Sequence, residues 1–197
     1  MEIVILRIIE KLLIIYFTIY FVIDLGLFIY SFSVFKRKKK KTVDNYDYAG
    51  HPISVIVPAY NEEVSIIYCT QMLLQLDYPD FEVIVVNDGS KDSTLKILLS
   101  NFDFKETAFD LQSTIVTRPI RKMYRSTDGK LTLIDKENGG KADSINAGIN
   151  VSNGRYICTI DADSILDSNA LKEVIKPFLK NPDTMVSGGQ LAAANDM

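Results

Sequence analysis

The chain has 197 residues, 47% hydrophobic and 24% charged, with a formal net charge of −3, enough for one ordinary domain plus an appendage. Residues 1–41 carry eight Lys or Arg against three Asp or Glu, so the other 156 residues hold a formal −8. That acidic body argues against nonspecific nucleic-acid binding, which rests on many phosphate-neutralising Lys and Arg, and a single histidine, His51, excludes any histidine-pair metal site within the chain.

From Leu12 to Phe35, 24 residues contain one charge, Asp24. At about 1.5 Å per residue a helix of that length reaches roughly 36 Å, enough to cross a hydrocarbon core of about 30 Å with some tilt. Six consecutive cations follow, Lys36 to Lys41, and by the positive-inside rule they place the body in the cytoplasm. A cleaved signal peptide would show a shorter apolar core, of about 7–15 residues, and a small-residue cleavage site. Residues 1–41 therefore read as a single-pass transmembrane anchor with a polybasic flank, and residues 42–52 as a linker. Asp24 has two readings: an intramembrane functional acid, or a residue facing a neighbouring helix or protonated in place.

From Ile53 the texture becomes alternating strands and helices. ISVIVP is a short β-branched run closed by proline, the signature of a buried strand. Asn61 reads as the cap of a helix running to about Leu76. Phe81 to Asn87 repeats the strand, and a helix follows from near Asp92. Strand, helix, strand, helix spells a mostly parallel sheet with crossover helices, so the fold class is α/β. Further on, Gln112 to Arg118 reads as a strand, PIRKMYRSTDGK as a basic loop, LTLID as a strand, ENGGK as a turn and Ala142 to Val151 as a helix. A strand over Arg155 to Ile160 precedes a helix over Ser168 to Lys176, capped by Ser168 or Asn169 and stopped or kinked at Pro177. Thr184 to Ser187 reads as a last strand. Cys69 and Cys158 sit in apolar settings and read as small core residues; His51 reads as solvated.

In open parallel sheets, ligands bind outside the carboxyl ends of the strands. Three acidic turns fall there: Asn61 to Glu63, Asp88 to Ser90 and Asp161 to Ser164. Asp161 and Asp163 are separated only by Ala162. In an extended backbone they would point to one side, and two hard oxygen donors favour Mg or Mn, which also takes oxygens from a substrate's phosphates. Asp88 is compatible with accepting hydrogen bonds from a base or ribose, and Lys141 with binding phosphate. The plainer readings are a turn-forming aspartate beside Gly89 and a solvated lysine. Arg118, Arg121, Lys122 and Arg125 form a basic cluster that reads as a solvated loop or as a phosphate or lipid-headgroup contact. GGKAD lacks the early glycine and the Ser or Thr of a P-loop, and no strand is followed by G-x-G-x-x-G, which excludes both standard nucleotide loops.

SVIVPAYNEE, VIVVNDGSKDST, KENGGKADSINAGI and DAD, in that order over about residues 53–190, resemble the family 2 glycosyltransferases of GT-A fold. The hydrophobic leader and the NGGK turn are most similar to membrane-anchored polysaccharide synthases of the cellulose, hyaluronan and poly-N-acetylglucosamine type. The resemblance implies a nucleotide pocket lined by Pro58, Ala59, Tyr60 and Glu62, with Asp88 on the uracil and Lys141 near the donor phosphates. Asp161 and Asp163 would bind Mg or Mn with the diphosphate of a UDP-sugar. It further implies an inverting transfer to a glycan acceptor at the membrane, with membrane lipid and a synthase subunit as further partners.

One departure qualifies the resemblance. The family's acidic general base and Q-x-x-R-W motif belong to later sequence, and the acids after Asp163 (Asp167, Glu173, Asp183 and Asp196) do not resemble the base motif. Residues 53–197 therefore read as a C-terminally incomplete GT-A domain, the donor half of an enzyme. The alternatives are a non-catalytic UDP-sugar-binding or regulatory subunit, and another metal-dependent nucleotide enzyme such as a nucleotidyltransferase. PAYNEE lacks the glycine- and arginine-rich loop of that last class.

Overall fold

A computed structural model describes residues 2–38, 46–108 and 115–189. The chain divides into two compact units, residues 1–45 and 46–197.

The first unit holds one helix, α1 (Glu2–Lys38), with a 26-residue stretch, Arg7–Phe32, long and apolar enough to cross a membrane. It starts ten residues before the span read from the sequence. Of the charges there, Glu10 and Lys11 lie three and four positions after Arg7, a spacing that a helix accommodates on one side.

The second unit is a six-stranded sheet of order β3-β4-β5-β2-β1-β6. Its strands are β1 (Ile53–Ala59), β2 (Phe81–Asp88), β3 (Phe104–Thr107), β4 (Ile120–Ser126), β5 (Leu131–Lys136) and β6 (Tyr156–Thr159). Strands β5, β2, β1 and β6 are parallel, and β3 and β4 form an antiparallel margin. The helices are α2 (Ile66–Leu74), α3 (Thr94–Asn101), α4 (Lys141–Val151) and α5 (Ala170–Lys180).

The period-two geometry of the strands sorts their side chains into two cores. Val55, Val57, Val83, Val85, Leu131 and Leu133 pack with Ile66, Cys69, Leu73, Leu98, Leu171 and Ile175 of α2, α3 and α5. On the other face Ile56, Ile84, Val86, Met123 and Ile134 pack with Ala147 and Val151 of α4. Each such side chain, fully buried, contributes about 1.5–3 kcal/mol. Gly148 lets α4 lie directly on β1: a Cβ there would stand 2.6 Å from a methyl of Ile56.

Several boundaries differ from those expected. Asn61 does not cap α2, which starts after Ser65 and ends at Leu74; its backbone is left-handed (φ 57°), and its side chain serves a neighbouring loop. The expected basic loop is strand β4, preceded by β3. Only Met123 on β4 is buried, the cations stay exposed, and pairing with β5 supplies the order that the apolar pattern did not signal. Helix α5 continues through Pro177 to Lys180. Among the described residues, 115–118 and Thr184 to Ser187 form no strand, and 112–114 lie outside the described residues. His51 is half-buried, beside the Tyr156 ring and with its carbonyl accepting from the Tyr78 hydroxyl at 2.8 Å.

Candidate active site

The carboxyl ends of three strands lie level: Ala59 beside Asn87, and Asn87 beside Asp135. Strand β6 runs alongside with Thr159 level with Ile56, so Asp161 follows at the same edge. The segments leaving these strands enclose a cleft of about 510 Å³ lined by Pro58, Ala59, Tyr60, Glu62, Asp88, Asn138, Gly140, Lys141, Ser144, Asp161, Ala162 and Asp163. All eight residues singled out from the sequence lie on it. Asn138, Gly140, Ser144 and Ala162 are additions; the signal for three of them was the NGGK turn and the residue between the aspartates, while Ser144 follows in the first turn of α4.

The first wall, Pro58 to Glu62, is tied to the loop after β2. The Asn61 amide donates to the Ser90 hydroxyl at 3.0 Å, and the Asn61 side-chain carbonyl accepts from the Lys91 amide at 2.8 Å. The Glu62 amide donates to the Thr94 hydroxyl at 2.8 Å and the Glu63 amide to Asp92 at 3.2 Å; the Glu63 carboxylate accepts from the Ser93 amide at 2.8 Å. Desolvation alone would raise the Asp92 pKa, but hydrogen bonds from the Thr94 hydroxyl and amide, and from the Glu63 amide, hold it below the usual carboxylate range.

The floor is an ionic network. Asp88, only 3% exposed, accepts from the Lys136 ammonium at 2.6 Å, the Gly139 amide at 2.9 Å and the Gly140 amide at 2.7 Å. Desolvation pushes its pKa up, yet Lys136 and these two amides outweigh it and leave the carboxyl below its ordinary value. Lys136 is fully buried and also touches Asp143 at 2.5 Å and the Glu137 carbonyl at 2.6 Å. All three ammonium donors are therefore used. Gly89 (φ 66°) occupies a conformation open to glycine, and a Cβ on it would stand 2.8 Å from the Asn138 backbone nitrogen. Lys136 and Asp143 were not singled out from the sequence, where nothing marks a strand-end lysine or a helix aspartate as buried.

The far wall carries the two aspartates. Strand β6 ends at Thr159, and Asp161 to Ser164 is a turn closed by the Ser164 amide on the Asp161 carbonyl at 3.0 Å. Extended alternation therefore does not bring the carboxylates together. The turn buries Ala162 and leaves Asp161 and Asp163 exposed on the cleft. Asp161 is paired with the Lys141 ammonium. Among the described residues no group of three His, Cys, Asp or Glu forms a ready cage for a metal. Two hard carboxylates on an open cleft fit Mg or Mn that takes its other ligands from water and a diphosphate, rather than an all-protein site.

The surroundings of the two thiols near this wall disfavour the thiolate. Burial, then the charges of Asp163 and Glu62, push Cys69 up to about 11, and burial pushes Cys158 up to about 11.

Comparison with known proteins adds to this geometry. The profile of glycosyl transferase family 2 matches residues 54–110 and 108–196. The poly-β-1,6-N-acetyl-D-glucosamine synthase of Staphylococcus epidermidis is 33% identical over 131 residues, 66% of this chain and 26% of that protein. The chondroitin synthase of Pasteurella multocida is 30% identical over 145 residues, 74% of this chain and 13% of that protein. The chain thus spans about a quarter or less of the length of these relatives. Among solved structures, a mannosyltransferase from Pyrobaculum calidifontis in complex with GDP-Man and Mn2+ aligns over 78% of this chain and 40% of that one, with a TM-score of 0.50 and 25% identity.

Proposed function

The chain belongs to glycosyl transferase family 2, and we propose that it handles the donor in transfer of a sugar from a UDP-sugar to a glycan acceptor, with inversion, at the cytoplasmic face of a membrane. The observation that carries this reading is the far end of the cleft, where Lys141 and the Asp161–Asp163 turn set one cation against two carboxylates. A diphosphate needs that mixture: a lysine as a phosphate-binding point charge, and acids that recruit a divalent metal. Pro58, Ala59 and Tyr60 offer the apolar and aromatic wall that a base requires, and Asp88 retains lone-pair capacity on Oδ2 for the uracil.

In the reaction, an acceptor hydroxyl forms a bond to the anomeric carbon as the bond to the diphosphate breaks, and UDP carries away the electron pair. Mg or Mn held by Asp161 and Asp163 would supply charge neutralisation for that leaving group. Lys141 leaves Asp161 to bind the phosphates. The acceptor proton needs a base, and no acid beyond Asp163 lines the cleft among the described residues: Asp167 bonds the Asn169 amide and Glu173 pairs with Lys176. The residues on the cleft serve donor binding. Arg7–Phe32 anchors it, and the Lys36 to Lys41 flank keeps the body cytoplasmic beside anionic lipid. The relatives named as polysaccharide synthases support a role in polysaccharide synthesis.

Calorimetry on the detergent-solubilised full chain tests this. UDP with Mn2+ is expected to bind, GDP with Mn2+ more weakly, and Asp161→Ala with Asp163→Ala to abolish the metal-dependent part. Undiminished binding in the double variant rules the assignment out.

A further inference from the structure

We propose that Lys136 is a positioning residue for the donor site, acting through Lys141; this rests on the donor-site reading above. A lysine with no exposed surface carries a large desolvation penalty unless its charge and all its donors are met. Here the ammonium joins two carboxylates from different elements, Asp88 at the end of β2 and Asp143 in the first turn of α4, and also holds the Glu137 carbonyl. The four-residue segment between β5 and α4 is thereby fixed at both ends. Asp88 additionally grips the Gly139 and Gly140 amides, so the residue that follows them, Lys141, leaves the turn in one direction, toward Asp161.

Surface lysines hold loops weakly because their ion pairs are screened and mobile. A buried ammonium with three partners within 2.6 Å has no such freedom. Lys136 and Asp88 are register partners on adjacent parallel strands, so the rigid sheet itself sets the origin of the network. Gly139 completes the fit: a Cβ there would collide with the Asp143 carboxylate. The geometry therefore transmits the position of the sheet to a phosphate-binding side chain that does not touch Lys136.

The test uses the full chain in detergent with Lys136→Met, Asp143→Asn and Lys141→Ala. UDP with Mn2+ is titrated calorimetrically, and amide exchange is followed at Gly139 and Gly140. Lys136→Met is expected to weaken UDP about tenfold in the wild-type background and less than twofold in Lys141→Ala, the non-additivity of residues acting as a unit. Equal losses in both backgrounds overturn the proposal. Exchange at Gly139 and Gly140 should rise about tenfold or more while Val85 in the sheet is unchanged, whether or not a nucleotide binds; unchanged protection overturns it equally. If Lys136→Met does not fold, Asp143→Asn should show the same non-additivity and the same local exchange, and the absence of both counts against it. A wild type that ignores UDP but whose loop loosens in the variant leaves Lys136 as the loop's anchor and removes the donor-site reading instead.

Discussion

Lys141 and Asp161, 20 residues apart in sequence, meet across the cleft, so the cation expected on phosphate occupies a carboxylate expected on metal. Each must be released by the ligand the other is meant to attract. That pair is electrically balanced before anything binds.

That pairing gives opposite signs for one substitution. Lys141→Met should tighten Mn2+ binding in the absence of nucleotide by about two- to fivefold, because a rival for Asp161 is gone. This is the scale of an exposed ion pair, about 0.2–1 kcal/mol. The same variant should weaken UDP with Mn2+ by about tenfold or more, since a hydrogen bond to a charged group is worth about 1.5–3 kcal/mol. Calorimetric titrations of Mn2+ alone and of UDP at saturating Mn2+ read the two effects separately.

Asp88 predicts an acid limit to stability. Its folded pKa lies below the unfolded value of about 3.9, so between the two the unfolded chain binds more protons and stability rises with pH. The contribution is fully present above about pH 5 and is lost as pH falls through the folded pKa. Asp88→Asn should cost about 3–5 kcal/mol near pH 7, as expected for breaking a buried ion pair. It should also flatten the decline between pH 5 and pH 3, measured as urea midpoints.

Gly148 predicts a packing limit. Gly148→Val puts a branched side chain where Ile56 already stands, and overpacking of that kind costs about 1–3 kcal/mol. Urea unfolding should show a lower midpoint, and Ile56→Ala in the same chain should recover part of the loss by making room.

Cys69 and Cys158, both pushed up to about 11, should react with iodoacetamide at pH 7.5 roughly two orders of magnitude more slowly than a free thiol. Mass spectrometry of the alkylated chain should show neither modified until urea unfolds it.

Where local pattern and tertiary structure agreed, the chain was readable. Strands β1, β2 and β5 are β-branched or leucine-rich runs bounded by turn residues, and buried parallel strands have that texture. The eight cleft residues were readable for the same reason, because parallel strands deliver their following turns to one edge. Strand β4 was not: Arg121, Lys122 and Arg125 break up its apolar residues, Met123 and Tyr124 pack on opposite faces, and a register shift separates them from Ile120. Lys136 was hidden differently. Nothing in LTLIDK says that its cation will be buried, because one carboxylate that buries it is 48 residues earlier and the other lies beyond the glycine turn.

The sheet also sets an order of events. Strand β1 is flanked by β2, which follows it closely, and by β6, whose entry is fastened when the Gly154 amide donates to the Ser54 hydroxyl, 100 residues earlier in the chain. Parallel pairings over such separations are slow because the loop entropy must be spent first. During synthesis α1 leaves the ribosome before any strand, while β1 keeps one side unpaired until β6 arrives. The cleft is completed only then, since Asp161 and Asp163 follow β6.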